Sequence, residues 1–136
     1  MKCFRLTKYN PELRNISSTF TSKDWTSVSD IGDDTGLTYQ EYLVAESNYV
    51  KAVLYFMVCL ELNGVKLLEV SDNRSEDNLG KYLFDIDQPN RRIDEGMFVP
   101  TGQIPDYTKL ALRELIWCKF DGDKQFYLHF GYDYYI

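Results

Sequence analysis

From Leu37 onward the chain changes from scattered polar residues to a helical rhythm. In "LTYQEY", Thr38 followed three residues later by Glu41 forms a capping box, and Leu37 and Tyr42 occupy the two positions of a hydrophobic staple. The spacing predicts a helix from Tyr39 to about Leu62, where Asn63-Gly64 offers a left-handed stop. At 1.5 Å per residue that rod spans roughly 36 Å. Its first half is amphipathic, with Tyr42, Tyr49, Val50 and Val53 on one stripe. Its second half, "AVLYFMVCL", is apolar on every side, which predicts a central pillar buried on more than one face.

Before this helix, "MKCFRLTK" alternates weakly and reads as an edge strand, broken by the Asn-Pro of "YNPELRN". The Ser-, Thr- and Asp-rich stretch that follows reads as a long ordered loop pinned by Phe20, Trp25, Val28 and Ile31. After the helix, "VKLLEVS" reads as a strand, and Ser75 as the cap of a short helix with Leu79, Tyr82 and Leu83 inward. "MFVP" adds a short strand. Asp106 is placed to cap a second helix, near 106–115, whose buried stripe is Leu110, Ala111 and Leu115. Asp121-Gly122 between two aromatic-rich runs signals a hairpin, and in its second arm Phe126, Leu128, Phe130 and Tyr132 alternate with Tyr127, His129, Gly131 and Asp133. Six of the last eleven residues, "FYLHFGYDYYI", are Phe or Tyr, and burying them calls for an arm packed on the long helix. The expected fold is α+β: a single domain over 1–136, with a long central helix packed on a mostly antiparallel sheet that ends in a C-terminal β-hairpin.

Composition narrows the function. A chain of 136 residues is long enough for one self-sufficient core. No apolar run reaches the roughly 18 residues of a spanning helix, and the N-terminus has no apolar signal region, so a cytoplasmic protein without membrane contact is expected. Cys3, Cys59 and Cys118 are odd in number and sit in apolar contexts, so three buried free thiols are expected rather than a disulfide framework. With 15 Lys and Arg against 21 Asp and Glu, the net charge of −6 disfavours nucleic acid and fits a basic protein partner, although the same charge also serves solubility.

Catalytic chemistry is hard to assemble from these residues. The single histidine, His129, sits in the last predicted strand, where a hydrogen-bonded structural role competes with catalysis. No Cys or His pair has metal-ligand spacing. Asp85 with Asp87 and Asp121 with Asp123 offer oxygen ligands but lack the rest of a calcium loop, and the first pair leaves a carboxylate-based hydrolase as the rival enzymatic reading. The expectation is a binding module that is not an enzyme and carries no cofactor or metal.

"KYNPELR", "DWTSVSDIG" at 24–32, "LRELIWC" at 112–118 and the ending "HFGYDYY" together resemble bacterial immunity proteins encoded beside polymorphic or contact-dependent growth-inhibition toxins. That resemblance implies a protein that binds the C-terminal domain of a cognate toxin, a basic nuclease in the expected case, and occludes its active site or substrate surface. It also implies that Trp25, Trp117, Gly131 and Tyr132 build the scaffold. The middle segment does not share the resemblance, and its acids Asp72, Glu76, Asp77, Asp85, Asp87, Asp94 and Glu95 are the expected partner-binding residues, in loops the core does not need. The competing class is an adaptor that self-associates through exposed aromatics.

Overall fold

Thr38 caps the long helix as its spacing implies. Its side-chain oxygen accepts the Glu41 backbone N–H at 3.3 Å, and Glu41 Oε2 accepts the Thr38 N–H at 2.9 Å. The Thr38 hydroxyl also donates to Glu41 Oε2 at 2.7 Å, and this bond, ahead of the one from the Thr38 N–H, holds the Glu41 carboxyl below its ordinary range. The structure, a computed structural model, describes residues 6–15, 17, 24–75, 86 and 92–131.

Helix α1 runs Tyr39–Cys59 and ends sooner than the Asn63-Gly64 signal suggests. Glu61 adopts the left-handed conformation at φ 52°, its N–H bonding Val58 O and the Leu62 N–H bonding Met57 O at 2.9 Å. That pair of bonds is a Schellman stop with glutamate in the place usually held by glycine. Gly64 opens the next strand instead.

Four strands form one antiparallel sheet in the order β2-β1-β3-β4: β1 Gly64–Asp72, β2 Phe98–Pro100, β3 Ile116–Gly122 and β4 Phe126–His129. Leu67 pairs with Phe120 and Phe120 with Leu128, so these three share a face. With Val65, Val99 and Cys118 they form a core against Val53 and Met57 of α1 and Leu110 of the second helix, α2. Helix α2 spans Ile104–Leu112, two residues ahead of the expected start. Pro105, pre-organised for a first turn, begins it, and Asp106 lies inside that turn instead of capping it. A second Schellman stop follows, with Glu114 left-handed at φ 59° and Leu115 N–H bonding Leu110 O at 3.0 Å.

The hairpin is present but its turn is displaced. Asp123 and Lys124, not Asp121 and Gly122, occupy the turn, with φ of 53° and 62°, a type I′ pattern that matches strand twist. Gly122 stays in the strand, where a Cβ would meet the tip of the Leu62 side chain, Cδ1, at 2.6 Å and Phe126 Cβ at 3.1 Å.

Two further expectations are corrected. The end of α1 is not buried on more than one face. Tyr42, Glu46, Tyr49, Val50, Val53 and Met57 are buried, while Tyr55, Phe56, Val58, Cys59 and Leu60 are exposed. Cys59 is therefore not a core thiol, whereas Cys118 is, and burial pushes its pKa up to about 12. In the loop before α1, Val28 is buried and the Trp25 ring meets that of Tyr42 tilted, with centroids 5.7 Å apart, as expected of pins; Phe20, Cys3, the residues of the short helix expected after Ser75, and 132–136 lie outside the described residues.

Among the described residues, the most deeply buried charges tie the helices together. Arg113, the last-turn cap of α2, donates from Nε and Nη2 to the two carboxylate oxygens of Glu46 at 2.7 and 2.6 Å, and the Tyr42 hydroxyl donates to Glu46 Oε2 at 2.9 Å. Glu46 is 2% exposed and Arg113 1%. A fork-to-fork pair of this kind fixes how the two helices cross.

Candidate interaction surface

Three of the seven expected partner-binding acids fall among the described residues, and they gather along one margin of the sheet. Asp72, at the end of β1, accepts Arg74 Nε at 2.8 Å and Arg74 Nη2 at 2.5 Å. Those bonds, with one from the Ile93 N–H, hold the Asp72 carboxyl below the usual range, and the pairing raises the Arg74 guanidinium. Glu95 Oε2 accepts the Val70 N–H at 3.0 Å. Asp94 pairs at 2.7 Å with Arg92, both well exposed. Glu76, Asp77, Asp85 and Asp87 lie outside the described residues.

Asp72 and Glu95 thus do structural work. Beyond Lys66 the β2 ladder stops, and β1 then bulges between Leu68 and Ser71, with Glu69 left-handed at φ 52°. Carboxylates take over where the ladder ends, Glu95 serving the Val70 N–H and Asp72 the Ile93 N–H. Asp72 thus lies in the strand β1 and Glu95 beside it, both exposed and both bonded to backbone N–H groups at this margin.

The strongest candidate surface is the sheet face opposite the core. The register places Phe98, Lys66, Asp121 and Tyr127 in one row across the four strands, Leu68, Lys119 and His129 in the next, and Ser71 with Trp117 in a third. Phe98 and Tyr127 are 52% and 48% exposed, and Lys66 and His129 are exposed too. Trp117 meets His129 edge-on at 5.1 Å between ring centroids. Lys119 pairs with Glu69 across the bulge and lies 6.0 Å from the Tyr127 ring centre, and the Glu69 hydrogen bond, ahead of the other causes, raises its pKa. Aromatic side chains interleaved with compensated charges are the composition of a protein-binding surface centre. A groove of about 350 Å³ at the first row's end is lined by Glu61, Lys66, Phe98, Asp121 and Asp123. Among the described residues no group of three or more His, Cys, Asp or Glu is placed to hold a metal ion, and no helix is long and apolar enough to cross a membrane.

The alternation of "IWCKFDG" carried the signal for this face: Trp117, Lys119 and Asp121 alternate with Ile116, Cys118 and Phe120. The pairing of Phe98 and Tyr127 into one row depends on strand order and register, which no local pattern encodes.

No protein-family model, curated protein or solved structure matches the chain.

Proposed function

We propose that this protein binds and neutralises a cognate toxin domain, a basic nuclease, by covering its active site or substrate surface. The observation that carries the reading is the aromatic sheet face, with Phe98, Tyr127 and Trp117 arrayed around Lys66 and Lys119 on the side of the sheet away from both helices. The resemblance to immunity proteins supports it: within its segments Tyr9 donates its hydroxyl to Trp25 O at 3.0 Å, and 112–118 supplies Arg113, the α2 stop and, on the sheet face, Trp117. The net charge of −6 suits a basic partner.

The test is growth rescue. Cells producing the toxin domain encoded beside this chain should grow when the chain is co-expressed, and the two proteins should co-purify. Replacing Phe98 and Tyr127 together by Ala should abolish rescue while the melting temperature changes little, because both side chains are half exposed. A chain that fails to protect, or protects equally well without both rings, overturns the proposal.

A further inference from the structure

Helix α1 carries a second surface, independent of the sheet face and on the other side of the molecule. Its buried stripe is matched by an outward one, stepping four and three residues through Val44, Asn48, Lys51, Tyr55 and Val58, the spacing along which two helices pack at a shallow angle. An outward helix face normally carries charge. Here Val44, Tyr55 and Val58 are 60%, 67% and 71% exposed, and Lys51 is the stripe's one charge. The stripe holds no acid, so the chain's excess negative charge does not lie along it.

We infer that this stripe is the contact surface of a homodimer in which two α1 helices pack antiparallel. The stripe contains its own complement. About a two-fold axis near its middle, Lys51 of one copy faces Tyr55 of the other, and the symmetry repeats the contact, so each ammonium rests against an aromatic ring. Asn48 then faces Val58, and Val44 faces the α1 end near Leu62. A parallel pairing instead sets Lys51 against Lys51 at the centre of the seam, which charge repulsion disfavours. An identical antiparallel stripe therefore satisfies the lone cation that an unrelated apolar surface leaves unpaired. One helix of about 31 Å per copy makes a small interface, so the dimer forms in a concentration-dependent way. The aromatic sheet face stays accessible in it.

Sedimentation velocity on the whole chain, from low micromolar to near-millimolar concentration, tests this. The expected result is a monomer–dimer equilibrium that Val44→Glu and Val58→Glu each weaken by about a hundredfold or more, since each buries an unpaired carboxylate against an apolar or neutral facing residue. Melting temperatures of both variants should stay near wild type, because these side chains face solvent in the monomer. With Cys3 and Cys59 replaced by Ser, the Asn48→Cys, Val58→Cys double variant should form an intermolecular disulfide, and Val58→Cys alone should not. A monomer at every concentration, a dimer indifferent to both glutamates, or efficient cross-linking by Val58→Cys alone overturns the inference.

Discussion

Replacing Glu46 by Gln should destabilise this protein severely, although the change removes one charge and almost no volume. Arg113 is 1% exposed, and its two donors meet the carboxylate at 2.7 and 2.6 Å. With a neutral amide in place of the carboxylate, the guanidinium stays buried, and one of its two forked bonds loses its acceptor. Breaking a buried pair from one side costs about 3–5 kcal/mol, out of a total stability of about 5–15 kcal/mol for a domain. For a chain of this length that loss lowers the melting temperature by about 10–20 °C. Arg113→Met should cost a similar amount, leaving a buried carboxylate held only by the Tyr42 hydroxyl.

Removing both charges is a different perturbation. Glu46→Leu with Arg113→Met and Tyr42→Phe leaves no orphaned polar group in the trio, and such apolar replacements are often neutral or stabilising by about 1–4 kcal/mol. Urea unfolding followed by tryptophan fluorescence and circular dichroism reads all four proteins, with the denaturant slope compared to confirm that each unfolds in one transition. The reasoning fails if Glu46→Gln costs less than about 1 kcal/mol. It also fails if the triple variant loses as much as the two single variants added together, because a desolvated pair must show strong coupling.

Further outcomes follow from the backbone and the side chains at the edges. Glu61→Gly and Glu114→Gly should each stabilise the fold by about 0.5–1 kcal/mol, since both residues hold a left-handed stop that glycine adopts without penalty, and the denaturation midpoint reads the gain. Gly64→Ala should destabilise despite its ordinary backbone, because the added carbon would meet the Val99 carbonyl oxygen, a backbone atom that cannot swing aside, while Asp123→Asn with Lys124→Gly should stabilise the turn; thermal melts should move in opposite directions. Under native conditions iodoacetamide should label Cys59 and spare Cys118 until denaturant is added, as peptide mapping will show. Titration of Glu41 by NMR should give a midpoint below the ordinary carboxylate value, moving back up in Thr38→Ala; its contribution is present above the unfolded-state value and lost as pH falls through the folded one.

How far the fold was legible depended on whether a signal was local. The Thr38–Glu41 box, the Val- and Leu-rich β1 and the alternation of β3 and β4 act within a few residues, and each produced its element. The misplacements share a cause. Asn63-Gly64 and Asp121-Gly122 look like a stop and a turn because glycine tolerates positive φ, but both glycines lie in strands where a neighbour approaches closely: a side chain at Gly64 would run into Phe98 and Val99, and one at Gly122 into Leu62. Steric demand from elsewhere in the fold chose the glycines, while Glu61, Asp123 and Lys124 took the left-handed positions. The apolar run "AVLYFMVCL" failed as a burial signal for a related reason, since hydrophobicity marks what a face can cover and not whether this monomer covers it.

Charge followed the same division. The loop acids stand out in the sequence, yet Asp72 and Glu95 are bound to the backbone and Arg74 at a sheet margin. Glu46 stood out least, although it falls on the buried stripe one turn after Tyr42 and one turn before Val50, where an acid without a partner would be untenable. Its partner is 67 residues away, so no spacing rule connects them; the inference available from sequence was that a cation had to arrive from another element. The "LRELIWC" segment delivers it through Arg113, one residue before a left-handed stop that ends α2. The charges that organise this molecule are thus held inside and along its margins, and what remains on the two open faces is aromatic and aliphatic surface with few ions. Recognition through such faces is governed by ring burial and shape, with charge setting the approach.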